Sequence, residues 1–557
     1  ELSYGGTAGT VVINDRLKVD VEGIHSYALA SYGAGSVLKA GDEAEIISRG
    51  NNGYTLMAAE GAELEIGKNS TIKSLGSVSA HIVNAQSNSV VRIGDDSVLS
   101  SVGDSTLGIS SHGGAKVYVG DGVSLSSSGT IAYGMQSDGT GTEIVAGDGF
   151  SFNSTGDRAR GAQTRRGGSI SFGGDASFIT AGVNSHGLYA GATTDGEAGS
   201  SIKVGKDLYI KTTGDSSDGI FAGVNCIVNV DAGARIVLEG DGSTGLKAYK
   251  GEIIMGGDTV IMTSGEQSEG IYGHTDAKIS VGADSHIVTE GDFSAGIYGY
   301  ASGSEITMAE NAAVETKGEG SFGVRADADT AINFTGAARI ATEGAAAAAL
   351  VANAAGAKIT AADDMTIITS GEGAYGVYAV DGGKIILGDQ AFVSTSGAAA
   401  DGIYVIGSDS TVELQGAVSV KVQGADSRAL YAKEGTIMAS GGKVNIDGDL
   451  AAEQGGKIDL KFTDGSVFTG AALAGDGEIL LDMEGTQWNV TGDSTLTSLT
   501  LNNDALVHLT HSGAYSTLTV DELHGDNGTF KLDVDIRTLE GDKLVVNNAS
   551  SGNHVLD

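Results

Sequence analysis

Three hexapeptides, GDGSTG (240–245), GEGSFG (318–323) and GEGAYG (371–376), have the G-x-G-x-x-G spacing of a dinucleotide-binding loop. That loop functions between a strand and a helix, where free backbone N–H groups meet a pyrophosphate. Here each hexapeptide ends on the glycine that opens a recurring tetrapeptide, and no helical periodicity follows. All three read as corner turns.

Other chemical patterns are sparse. Arg158, Arg160, Arg165 and Arg166 fall within nine residues and make up a third of the twelve arginines. On a chain of formal charge −38 they form a possible basic contact patch for an acidic flank of another copy or for an anionic glycan or surface. Asp363, Asp364 and Asp401 are the carboxylates that a glycan-active enzyme could use, but they sit in turn-like sequence. There is no H-E-x-x-H, no G-x-S-x-G and no calcium-binding nonapeptide, and the ten histidines are scattered. No catalytic, cofactor or metal site is expected, with weak calcium binding at Asp-rich turns such as 95–97 left open. The acidity opposes nucleic-acid binding. Cys226 cannot form an intrachain disulfide, and beside Val224 and Ile227 it reads as a small buried hydrophobe.

The elements that would position these groups come from a repeat. Tetrapeptides such as GIYG (270–273 and 296–299) recur from Ala28 to Ala429 at steps of 25–27 residues. One step, from Gly187 to Gly219, takes 32, and the segment 191–200 reads as an insertion. The second residue of every copy is apolar: Leu29, Leu56, Ile82, Ile109 and so on through Ile297, Val324, Ile403 and Leu430. The third varies, which is the period-2 signature of a strand with one buried face. At that outward position stand Tyr189, Phe221, Tyr272, Tyr298, Tyr378, Tyr404 and Tyr431, a possible binding face.

A second strand (ELEIG, KVYVG, KIILG) and a third (STIKSLG, HIVTEG) fill each repeat. With 89 glycines, no proline and only 12 phenylalanines in 557 residues, the chain suits a narrow core of short strands and frequent turns. The expected fold is all-β: a right-handed three-stranded parallel β-helix, or solenoid, of about 20 coils, a rod on the order of 100 Å long. Residues 1–450 form the 26–27-residue coils, and 451–557 form a C-terminal region where the rhythm fades. The start ELSYGG shows no signal peptide, no apolar run reaches 18 residues, and the chain reads as a processed or trimmed soluble piece.

From Trp488 onward the order W…S-x-L…L-x-L…L-T-V…G…F…D-x-L resembles the C-terminal part of pertactin-like autotransporter passenger domains. Trp488, Ser494, Leu496, Leu499, Leu501, Leu518, Leu523, Phe530 and Leu544 carry the resemblance. It implies secretion through the protein's own C-terminal outer-membrane β-barrel translocator and display on the surface of a Gram-negative bacterium, or release from it. It also implies an autochaperone-like cap, with Trp488, Leu499, Leu518, Phe530 and Leu544 as its core. The expected function is a non-enzymatic adhesin for self-association, biofilm formation or attachment to a host glycan or protein receptor. The alternatives are a β-helix lyase or hydrolase acting on acidic polysaccharide, and a passive surface spacer.

Overall fold

The computed structural model describes residues 2–5 (backbone alone), 8–191, 196–463, 465–510 and 514–557. Among them there are strands and turns and no helix. Three short strands make one coil, and each pairs in parallel with its counterparts one repeat before and after. Val91, for example, pairs with Leu64 and with Val117. Alternation explains the faces. In Glu63–Ile66 the residues Leu64 and Ile66 are buried while Glu63 and Glu65 are half-exposed. Only the short hairpin Val534–Asp535 with Glu540–Gly541 pairs named strands antiparallel among the described residues. The fold is a parallel β-solenoid, with about 21 turns in all.

The chain divides into two compact units, Glu1–Ile287 and Val288–Asp557. In the first, one inward row runs Leu29, Leu56, Val83, Ile109, Met135, Ala162, Leu188, Ile220, Leu246, Ile271. In the second it runs Ile297, Val324, Leu350, Val377, Ile403, Leu430, Leu450, Ala472. Every one of these side chains is fully buried, and each of the larger ones is worth about 1.5–3 kcal/mol of burial.

The third coil differs from the sequence expectation. Val83, not Ile82, stands between Leu56 and Ile109, and His81 pairs with Tyr54. Both Ile82 and Val83 are fully buried, because the six-residue strand His81–Gln86 buries four consecutive residues. Alternation alone could not separate the two.

The role of the tetrapeptide glycine also differs. The hexapeptides read as corner turns, yet Gly245, the closing glycine of GDGSTG, has no positive φ. A Cβ there would lie 2.4 Å from Ile261 Cγ2 and 2.5 Å from the Gly270 carbonyl oxygen, so its absence lets the first strand close onto the third. The corner conformation belongs to Gly242, at φ +63°.

Hydrogen-bond ladders stitch the corners. The backbone N–H groups of Ser185, Ser217 and Ser243 donate to Ser217 Oγ, Ser243 Oγ and Ser268 Oγ at 2.9–3.1 Å. Thr212, Thr263, Thr316 and Thr395 each donate a hydroxyl to the carbonyl five residues on at 2.7–2.8 Å. These side chains are buried, and the ladders satisfy polar groups that would otherwise be costly to bury.

The fading rhythm near residue 451 is a shortening of the coils inside the second unit. Leu430 pairs with Leu450, Leu450 with Ala472, and Leu481 with Leu499.

Candidate functional site

Outward rows of the first strand of each coil hold most of the predicted site residues. In the first unit the row at the Tyr189 position continues through Phe221 and Lys247 to Tyr272. Tyr189 and Phe221 stack at 4.6 Å with planes 20° apart. The Arg160 guanidinium lies over Tyr189, 3.7 Å from the ring centroid, a cation–π contact.

The four arginines do not share one exposed patch. Arg160 and Arg165 end one strand, with Arg158 and Arg166 at the turns on either side. Arg166 is bound through Nε to Asp138 Oδ1 at 2.6 Å, and the Asp138 side chain is only 7 % exposed.

Beside that row lies a cluster that the sequence did not reveal. Arg160, His186, Asp218, Lys247 and Glu269 come from five successive coils. The Asp218 backbone N–H donates to His186 Nδ1 at 3.0 Å, so the neutral imidazole carries its proton on Nε2. Burial lowers the His186 pKa to about 4. The 3.6 Å approach of its Nδ1 to the Asp218 carboxylate is therefore not an ion pair near neutral pH.

Asp218 Oδ1 accepts from the Thr244 N–H at 3.0 Å, and Oδ2 lies 3.4 Å from Lys247 Nζ. The Thr244 hydroxyl donates to Glu269 Oε2 at 3.3 Å. Burial raises the Glu269 pKa. Two carboxyl groups thus flank Thr244, the Glu269 one shifted toward its acid form and the Asp218 one set among donors.

In the second unit Tyr378, Tyr404 and Tyr431 are register partners. They stack at 5.3 and 4.8 Å, nearly parallel, and Tyr375 meets two of them edge-on or tilted. Arg428 caps Tyr431 at 3.9 Å, and the Tyr431 hydroxyl donates to Glu453 Oε2 at 2.7 Å. Tyr431 is buried rather than outward and open. Tyr298 donates to Asp327 at 2.8 Å, and Arg325 pairs with the same carboxylate through two nitrogens.

Asp401 accepts the Arg428 backbone N–H at 2.7 Å, and burial raises its pKa. Asp363 accepts the Asp389 backbone N–H at 2.8 Å. Asp364 lies at a corner, with φ +60°. At the Asp-rich corner, Asp95 accepts the Asp121 backbone N–H at 3.0 Å. No group of three His, Cys, Asp or Glu side chains among the described residues could hold a metal ion. Cys226 is buried, its thiol directed at the Val224 carbonyl. Part of the insertion, residues 192–195, lies outside the described residues.

At the C-terminal end Trp488 is fully buried, stacks on Phe468 at 5.2 Å and donates Nε1–H to the Gly470 carbonyl at 2.9 Å. Leu499, Leu518 and Phe530 are fully buried and Leu544 is half-buried. Residues 496–557 match the family model described as Pertactin.

This end of the chain is similar to autotransporter passenger domains. Three further matches agree. Probable autotransporter YcgV of Escherichia coli (strain K12) is 34% identical over 127 residues, 21% of this chain and 13% of that protein. The autotransporter adhesin/invasin TibA of Escherichia coli O78:H11 (strain H10407 / ETEC) is 30% identical over 165 residues, 26% of this chain and 16% of that protein. The immunoglobulin A1 protease autotransporter of Haemophilus influenzae is 30% identical over 118 residues, 20% of this chain and 7% of that protein. The matches span under a fifth of each relative's length. Autotransporter homologues are displayed on the outer surface of Gram-negative bacteria or secreted.

Proposed function

We propose that this passenger is a non-enzymatic adhesin. It attaches a cell to another copy of itself on a neighbouring cell, or to a host glycan or protein receptor. The observation that carries this reading is the register of its outward rows. Aromatic and basic side chains recur at one-coil intervals, as at Tyr189, Phe221, Lys247 and Tyr272, so weak contacts can add along a face. The name of the relative TibA supports it. Export runs through an outer-membrane β-barrel of the same polypeptide, and the coils around Trp488 and Phe530 serve as the autochaperone that folds first.

Two variants displayed on cells test the reading: one without the Tyr189, Phe221 and Tyr272 side chains, one without Arg158, Arg160, Arg165 and Arg166. Loss of clumping or attachment with intact secretion is expected from at least one. Normal clumping and attachment by both overturns the assignment of these faces.

A second reading has a specific observation in its favour. The Arg160–Glu269 cluster puts acidic and basic groups from successive coils together, as a glycan-active enzyme requires. In that reading Glu269 is the proton donor and Asp218 the base. Release of new reducing ends or unsaturated products from acidic polysaccharide by the purified chain, abolished in Glu269→Gln, would establish it. The reading of a passive spacer predicts no binding and no turnover.

A further inference from the structure

The third strands of the second unit bear a groove of about 480 Å³ on their outer face, within the range of small-ligand sites. Phe392, Ser419, Lys421, Asn445, Asp447 and Thr469 line it, contributed by four successive coils.

Two of its features stand open to a ligand. The first is Phe392. It is an outward, half-exposed aromatic whose register partners are Thr366 and Ser419. Both are short and polar, so neither face of the ring is covered by another ring. The tyrosines of the first-strand face, by contrast, cover one another.

The second is the pair Lys421 and Asp447. They are register partners on adjacent coils, and among the described residues neither makes a side-chain hydrogen bond or ion pair. At Lys39 with Glu65 (2.6 Å), Lys18 with Glu45 (3.0 Å) and Lys461 with Asp482 (4.0 Å) the same relationship closes into contact. Glu252 and Lys278, like Lys421 and Asp447, are register partners that form no ion pair among the described residues. Lys421 and Asp447 therefore keep their hydrogen-bonding atoms open to the groove. Asn445 Oδ1 accepts the Val467 backbone N–H at 3.2 Å, which fixes the amide and leaves its N–H₂ to donate.

We propose that this groove binds a neutral oligosaccharide. The axial C–H face of a hexose carries partial positive charge and lies well on the negative face of an uncovered aromatic ring. Asp447 accepts from vicinal hydroxyls, and Lys421 and Asn445 donate to hydroxyl or ring oxygens, as charge-assisted and neutral hydrogen bonds. Lys421 and Asp447 sum to zero charge, and a chain of −38 repels polyanions. An uncharged glycan fits both facts. The inference gives the adhesin reading a ligand class and rests on it only for the biological use of the site.

The test exposes the purified chain to an array of neutral gluco-, galacto- and N-acetylhexosamine oligosaccharides beside sialylated and sulfated ones. Binding to neutral members is expected. Phe392→Ala should weaken it at least about tenfold, Phe392→Tyr should retain it, and Asp447→Asn should weaken it, all with unchanged thermal unfolding. Absence of neutral-glycan binding, preference for the acidic members, or full binding by Phe392→Ala overturns the proposal. Displayed cells separate the two readings. If cells attach or clump while the purified chain binds no neutral glycan, the groove falls and the adhesin reading stands. If the chain binds neutral glycans through Phe392 while cells neither attach nor clump, the adhesin reading falls and the groove stands.

Discussion

Tyr404 and Tyr431, on adjacent coils, lie 4.8 Å apart with ring planes 5° from parallel. Tyr404 is covered on its other side by Tyr378, so its faces are turned to its neighbours and only edges remain for a partner. Such stacks are worth about 0.5–1.5 kcal/mol per pair beyond area burial. Tyr404→Ala is therefore expected to loosen its coil by about 1–3 kcal/mol, read as faster hydrogen exchange at the amides of Ile403 and Leu430. Unchanged protection there would show that the stack contributes nothing to stability.

Ile297 is fully buried and pairs with Val324. Ile297→Asp puts a carboxylate with no partner into an aliphatic row, at a cost of several kcal/mol. Proteolysis of the second unit should accelerate sharply. Ala313→Asp, at a half-exposed outward position, should leave it near the native rate.

Acid should weaken the first unit through buried imidazoles. Burial holds His81 and His186 at about 4 in the folded state, below the ordinary 6.5. The unfolded chain then binds more protons between pH 6.5 and 4, so their stabilising contribution is complete above 6.5 and is lost as pH falls toward 4. The scale is about 3 kcal/mol for each. Glu269, with its pKa raised by burial, works in the opposite sense, since its neutral form is favoured as pH falls. Denaturant melts at pH 7 and pH 4.5 should show a decline that is smaller in a His81→Gln, His186→Gln variant. An equal decline in both proteins would contradict the assignment.

Trp488 is the only tryptophan and a local reporter. Its full burial and its bond to the Gly470 carbonyl predict blue-shifted emission resistant to iodide. Trp488→Phe keeps the stack on Phe468 but leaves that carbonyl without its donor, at about 1–3 kcal/mol. Red-shifted, freely quenched emission from the folded chain would contradict the placement.

The inward row was legible because one residue in each repeat is always apolar while its successor varies. The limit of that signal shows at Ile82 and Val83, two adjacent apolar residues in a strand that buries both. The Arg160–Glu269 cluster was hidden for a different reason. Its members lie one coil apart, and coil length varies from 25 to 32 residues across this stretch, so only residue-exact register brings them together. The groove left a faint trace in AFVST (391–395). With Val393 inward, period-2 alternation forces Phe392 outward, but the shortness of its neighbours on adjacent coils is a fact of register. The ladders at Ser217 and Ser243 read in sequence only as polar turn residues.

On the proposed reading the outward faces of this passenger join surfaces together. Cells displaying the chain, mixed with differently labelled cells that lack it and with host epithelial cells, test it most directly. Displaying cells are expected to clump with one another or bind the host layer, while non-displaying cells do neither. Equal clumping and equal attachment with and without the displayed chain would contradict it.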